Sequence, residues 1–401
     1  MERIAIRADH MFDGYRFHTG PVTVEVEGSQ ISSVDLQDVG RPRDVRLVNL
    51  GKSTLLPGLV DAHSHLCWEP DGNPEDVAAQ PHEELVERAR RHAAVALSAG
   101  ITTIRDLGDR DFATLSLRDE YRQGTSVGPE LLVSGPPLTR SSGHCWFLGG
   151  EADSTAALVD AVAERASRGV DWIKVMATGG FMTTSTNPWQ PQYDDDQLAA
   201  IVEAAHRAGL PVTAHAHATT GISAAVGAGV DGVEHCTFLG ENGIVTDSGV
   251  VEAIIAQGVW CGVTIGSVAP GTPETLVAMV PDLWRNVRQL VDSGAQVAFS
   301  TDAGISPHKP HNVLPRDLVD LSRHGFTCAE ALTGATAAAA ASCGLADRKG
   351  RIAPGYDANL IAVAAGLDAD LAGLCDVRAV WRNGKQVPLS ASAGQGDTSS
   401  S

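Results

Sequence analysis

Six residues carry side chains suited to holding divalent metal ions, and each closes or interrupts a strand-like apolar run. His63 and His65 close the run Val60-Asp61-Ala62-His63-Ser64-His65. On an extended strand, residues two apart face the same way, so this pair can chelate one ion together. His215 lies in Thr213-Ala214-His215-Ala216-His217, His235 in Val233-Glu234-His235-Cys236, and Asp302 ends Phe299-Ser300-Thr301-Asp302. Lys174 interrupts the apolar run Asp171-Trp172-Ile173-Lys174-Val175-Met176. Taken singly, each has an ordinary explanation. A lone buried histidine is more often a satisfied core residue than a ligand, a lone lysine snorkels, and a lone aspartate caps the next turn. The same polar types at the same end of five strands leave those explanations weak.

The elements that would position these groups can be read from periodicity. Eight apolar, strand-like runs fall at 56–65, 101–107, 131–138, 171–177, 211–217, 230–236, 259–265 and 295–301. Segments with helical spacing lie between them, most clearly at 83–99, 156–168, 195–208 and 282–293. Each of these four runs into a glycine (Gly100, Gly169, Gly209, Gly294), as a helix C-cap should. Strand and helix in alternation eight times predict an α/β fold, a (β/α)8 TIM-type barrel occupying 55–346. In such a barrel, catalytic groups sit at the carboxyl ends of the strands, where the histidines, the lysine and the aspartate fall. The competing doubly wound sheet lacks its usual glycine-rich phosphate loop here.

The two ends of the chain read differently. Short alternating runs at 3–8, 22–26, 31–34 and 45–50 predict a small antiparallel sheet. Beyond the barrel, 358–364 and 377–382 are strand-like, and Asn383-Gly384 is a hairpin turn into Lys385-Gln386-Val387. The expectation is a small β-sandwich built from 1–54 and 347–388, followed by a disordered Ser/Ala/Gly tail over 389–401.

These motifs together resemble the amidohydrolase superfamily. The opening match is Leu56-Pro57-Gly58-Leu59-Val60-Asp61-Ala62-His63-Ser64-His65; further matches are Ile173-Lys174-Val175-Met176, Ala214-His215-Ala216, Val233-Glu234-His235 and Ser300-Thr301-Asp302-Ala303-Gly304. The closing Ile352-Ala353-Pro354-Gly355-Tyr356-Asp357-Ala358-Asn359-Leu360 and Val380-Trp381-Arg382-Asn383-Gly384 resemble its terminal sheet. The lysine context and the Thr-Asp-Ala-Gly stretch are most similar to the branch of Xaa-Pro and Xaa-Arg dipeptidases, ochratoxin hydrolase and phenylurea hydrolase. Two positions depart from it: Asn359, where the family usually has Asp, and His217, where some relatives carry tyrosine.

The resemblance implies two divalent ions, zinc first with manganese or cobalt as replacements. It places His63, His65 and Asp302 around one ion and His215 and His235 around the other, with Lys174 carboxylated by CO2 to bridge both. Two ions about 3.5–4 Å apart acidify a shared water, whose proton Asp302 would pass to the leaving group. His144, in Ser142-Gly143-His144-Cys145, is a candidate donor to the scissile carbonyl or to substrate. His308 and His311 are expected to be loop structure rather than ligands, and Gly179 and Gly180 to let backbone approach the pocket. The implied activity is cleavage of an amide or peptide C–N bond, including removal of a C-terminal residue. Ureas and cyclic amides are the alternative substrates, and a mononuclear deaminase or a non-catalytic relative the alternative functions. Segments 67–81, 139–151 and 178–193 are the expected specificity walls.

Composition narrows the partners. Asp plus Glu outnumber Lys plus Arg by 49 to 30, a formal charge of −19, which disfavours nucleic acid and anionic lipid and leaves a small molecule or peptide as substrate. Seven scattered cysteines without a CxxC pair fit a reducing cytoplasm. No basic leader precedes an apolar run, and no stretch is apolar enough to span a membrane. A homo-oligomer stays open.

Overall fold

The computed structural model describes residues 3–37, 45–241, 243–264, 266 and 274–389. Its central feature is a series of parallel strands joined by helices. Leu59–Ser64, Ile101–Asp106 and Glu130–Val133 form one sheet, and Ile173–Met176, Val212–Ala218, Gly232–Gly240, Trp260–Val263 and Gln296–Phe299 pair in sequence order in a second. Two parallel bridges join the sheets. Leu138 pairs with Val175 on one side, and Ser64 with Ala303 on the other, where Asp302 N also donates to His63 O at 2.7 Å.

The helices follow from local signals. In Asp195–Arg207, the Asp194 side chain accepts from Gln197 N while the Gln197 side chain returns to the Asp194 backbone, a reciprocal cap. Acidic residues open this helix and His206 and Arg207 close it, matching the helix dipole. Its face of Leu198, Ile201, Val202 and Ala205 is buried, each large side chain worth roughly 1.5–3 kcal/mol. The glycines expected to end helices, Gly100, Gly169, Gly209 and Gly294, all have φ between 74° and 86°. The segment expected at 282–293 is longer, a helix over Glu274–Asp292 that tolerates Pro281. Helices at Ala113–Gln123, Thr219–Ala228 and Ser248–Gln257 complete the alternation.

Three expectations need correction. The run 56–65 is two strands, because Gly58 breaks it: a Cβ there would lie 2.1 Å from Thr102 Oγ1, so the chain bends where only glycine fits. The first piece, Ser53–Pro57, belongs to the terminal sheet, which therefore reaches past residue 54. That terminal sheet is one continuous eight-stranded mixed sheet rather than two antiparallel ones. A bulge at Ala8/His10 lets Arg3–Phe12 pair in parallel first with Arg46–Asn49 and then with Ser53–Pro57, and Ser53–Pro57 in turn pairs with Leu360–Ala364. The Asn383-Gly384 hairpin forms, both residues at positive φ. Residues 390–401, nearly all of the expected tail, lie outside the described residues, as does Ile265. Among the described residues, no helix is long and apolar enough to cross a membrane.

Candidate metal centre

The sequence-predicted groups converge on one cavity of about 450 Å3 at the carboxyl ends of the strands, lined by His63, His65, His144, Lys174, His215, His235 and Asp302. His63, His65 and Asp302 form one cluster whose ligand atoms lie within 4.8 Å of one another. Asp302 Oδ1 is 3.4 Å from His63 Nε2 and 3.2 Å from His65 Nε2. A second cluster of the same tightness holds His215, His217 and His235. His217 is thus brought in with the predicted ligands.

Hydrogen bonds decide which ring nitrogen faces the cavity. His63 Nδ1 meets the Glu234 carboxylate at 2.8 Å, and His65 Nδ1 meets Gly108 O at 3.1 Å. Carboxylate and carbonyl oxygens only accept, so both Nδ1 atoms carry a proton; both Nε2 atoms face Asp302 Oδ1, which also only accepts, and a cation standing between them would take their lone pairs. His215 is held the other way round, its Nε2 donating to Gly179 O at 3.1 Å and its Nδ1 left bare. Burial, with Lys174 nearby, lowers the His63 pKa to about 4, and burial drives those of His215 and His235 well below the ordinary value. Neutral imidazoles with lone pairs turned inward are what a divalent cation needs.

The support beneath these ligands was not evident in the sequence. Glu234 is fully buried and accepts from His63 through one oxygen, and from Arg105 Nη2 at 2.9 Å and Thr213 Oγ1 at 2.6 Å through the other. Burial alone would raise its pKa, but Arg105 and His63 outweigh that and hold it ionised. Arg105 is also bound to Ala62 O and Ser342 O and lies over the Trp172 ring at 4.3 Å. Gly262 makes room for this carboxylate, since a Cβ there would stand 2.2 Å from Glu234 Oε2. Asp61 plays a similar part for the eighth strand, accepting from Thr301 N and Oγ1 just before Asp302. The visible signal for Glu234 and Arg105 was a charge inside an apolar strand run.

Lys174 Nζ is buried and has no hydrogen-bond partner among the described residues. Burial lowers its pKa to about 8. Asp302, at φ 57°, is also buried; desolvation would raise its pKa, but His63, His65 and Lys309 hold it well below the carboxylate range. His144 is buried in the cavity wall rather than exposed on a loop. Its ring lies 4.6 Å from that of His215, Gln192 Oε1 accepts from its backbone N–H, and its Nδ1 has no partner among the described residues. A Cβ on Gly180 would come within 2.4 Å of that ring, so glycine is required there for close approach. His308 lines the cavity, whereas His311 donates from Nε2 to His65 O and stacks on His92, a supporting role.

The family model for the amidohydrolase family matches residues 54–387. The ochratoxinase of Aspergillus niger is 28% identical over 373 residues, covering 82% of this chain and 75% of that protein. An imidazolonepropionase of Streptomyces griseus is 29% identical over 86% of this chain and 87% of its own. Among solved structures, a Xaa-Pro dipeptidase with methionine bound in its active site superposes with a TM-score of 0.84 at 26% identity, covering 96% of this chain and 100% of the other.

Proposed function

The chain belongs to the amidohydrolase family, and from that premise we propose that it is a binuclear metal-dependent hydrolase that removes a carboxylate-bearing residue from an amide. The hydrolysis of a C–N bond follows from the family and from the hydrolases it resembles. The eight parallel strands and the two bridges between their sheets support a closed (β/α)8 barrel, flanked by the sheet from both chain ends.

The observation that carries the two-ion reading is Lys174. A buried ammonium with no acceptor is costly. As the neutral amine, its nitrogen can attack the carbon of CO2 and release a proton to solvent; the resulting carbamate would add anionic oxygen to the donors His63, His65 and Asp302 and to His215 and His235. Imidazole with carboxylate oxygen suits zinc, and cobalt or manganese could replace it. Two ions there would supply an acidified water and Lewis acidity toward a carbonyl oxygen.

The chain's own groups do the rest. Asp302 stays ionised; its Oδ1 is turned to the histidines, and its Oδ2, facing Lys309, is the oxygen that would accept a proton and hand it to a leaving nitrogen. His144 presents its ring to the cavity beside His215, placed to polarise or orient the scissile carbonyl. Lys309 Nζ bonds Thr264 O at 2.9 Å and stands 4.0 Å from Asp302 Oδ2. As a cation lining the same cavity beside Asp302, it is the group that would meet a substrate carboxylate. Phe181, Leu239, Ile244, Leu283, Trp284 and Ile305 make the surrounding wall apolar, which fits an apolar side chain or acyl group and excludes water. Purified protein should contain two divalent ions per chain and hydrolyse N-acylated apolar amino acids faster than their carboxamides. A chain with one ion or none would refute the two-ion reading, and equal rates on acid and carboxamide would refute the anchor.

A further inference from the structure

We propose that the cavity selects amides whose acyl group is apolar and uncharged, and that the helix Glu274–Asp292 is the wall that measures this group. The inference deepens the hydrolase reading above and rests on it. The helix lies outside the three segments expected from the sequence to form specificity walls.

Met279, Val280 and Leu283 line the cavity, and their spacing puts them on one helical face. The turns that follow are fixed. Trp284, Val287 and Leu290 are buried, and the Trp284 ring stacks on His324 at 4.4 Å. Asn286 Nδ2 donates to Cys236 O at 2.9 Å, and Asn286 Oδ1 accepts from Thr246 Oγ1 at 2.8 Å. The helix is therefore tied to the strand that carries His235 and to the segment that follows Ile244. That strand, Gly232–Gly240, turns back to pair with Gly243–Ile244, and Leu239 and Ile244 of this hairpin line the cavity too. Phe181 also lines it, its ring edge-on to that of His217 at 5.2 Å, whereas Lys309 stands with Asp302.

Among the described residues that line the cavity, Asp302 is the one carboxylate, and it already faces His63, His65 and Lys309. Two hydroxyls in the wall are engaged: Thr237 Oγ1 donates to His217 O at 3.1 Å, and Thr264 Oγ1 meets His235 Nδ1 at 2.8 Å. An α-ammonium on the acyl group, as in a dipeptide with a free amino end, would lose its water here without gaining a counterion. A buried unpaired charge is strongly disfavoured. An apolar chain gains instead, roughly fourfold in affinity per buried methylene. The cavity of about 450 Å3 is large enough for such a chain, falling in the range of roughly 300–1,000 Å3 usual for drug-sized ligands.

The test uses the full-length, metal-loaded protein and three substrates that all release leucine: N-acetyl-leucine, N-hexanoyl-leucine and norleucyl-leucine. The last two differ only by the α-ammonium. kcat/KM should be at least ~100-fold higher for the hexanoyl than for the norleucyl substrate, and higher for hexanoyl than for acetyl. Leu283→Trp, with metal content and circular dichroism matching wild type, should reduce or reverse the hexanoyl-to-acetyl ratio by filling the space for the longer chain. Val277→Ala, at an exposed position of the same helix, should keep the wild-type ratio. Hydrolysis of none of the three would refute the function proposed above. With hydrolysis observed, norleucyl-leucine cleaved as fast as N-hexanoyl-leucine would overturn the selection against charge. An unchanged hexanoyl-to-acetyl ratio in folded Leu283→Trp would overturn the helix as the measuring wall.

Discussion

Replacing Glu234 with glutamine tests the link between the buried ion pair and the proposed metal ligands. All three partners of this carboxylate are donors: His63 Nδ1 on one oxygen, and Arg105 Nη2 and Thr213 Oγ1 on the other. Glutamine offers one accepting oxygen and one NH2, so in either orientation a donor faces a donor. If the oxygen stays with Arg105 and Thr213, the NH2 faces His63 Nδ1. That nitrogen must give up its proton, which moves to Nε2, the atom turned toward Asp302 at 3.4 Å. The lone pair meant for the metal is then lost. Altering such an outer partner typically costs ~10–100-fold in metal affinity, which is about 1.4–2.7 kcal/mol. The metal-free protein should also lose stability, because Arg105 is buried and keeps only a neutral partner. Full removal of one member of a buried pair costs roughly 3–5 kcal/mol, and the retained amide oxygen should make Glu234→Gln milder. Chelator competition and thermal unfolding of the metal-free protein read the two effects separately. Gly262→Ala is the companion variant: it crowds the same carboxylate at 2.2 Å without removing its charge, and should also loosen metal. A folded Glu234→Gln protein with wild-type metal affinity would refute the tautomer argument.

Asp302→Asn keeps an oxygen near the ion but cannot accept the proton. With metal content verified, kcat should fall about 10²–10⁴-fold at nearly unchanged KM, and a near-native kcat would assign the proton transfer elsewhere, with His144 next to test. Lys309→Met should raise KM for carboxylate-bearing amides roughly 10–100-fold, the range of one hydrogen bond to a charged group, and leave the matching carboxamides unaffected; equal effects on both would remove Lys309 as the anchor. Glu130, on the third strand, is bound by Arg348, Lys349 and Arg382; burial would raise its pKa, but these cations hold it at about 2 against an ordinary 4.5. A depressed folded-state pKa contributes stability that is present above pH 4.5 and lost as pH falls from 4.5 toward 2, on the order of 3 kcal/mol. Glu130→Gln should therefore be less stable than wild type at pH 7 and converge with it in acid, and a constant difference across that window would contradict the linkage.

What the sequence disclosed, and what it hid, follows from how each residue reaches the cavity. His63, His65, His215 and Asp302 were legible as candidates because they sit where strands end and because polar groups there break an otherwise apolar pattern. Gly58 was hidden because a single small residue inside an apolar run carries no periodic signal, although its contact with Thr102 divides the terminal sheet from the first central strand. The helices Thr219–Ala228 and Ser248–Gln257 were muted by alanine, glycine and apolar residues on several faces, which blur the helical period. Glu234 was concealed by alternation itself. Neighbours on a regular strand point to opposite sides, so reading His235 inward sends Glu234 outward. The backbone at His235 and Cys236 turns to φ 68° and 49°, and this departure lets both Glu234 and His235 face the interior. A non-glycine residue in the left-handed region stores strain of order 1–3 kcal/mol, retained here where one side chain faces the cavity and its neighbour fixes the proton on His63. The candidate ligands could be found by pattern. The carboxylate that sets the tautomer of one of them required the backbone.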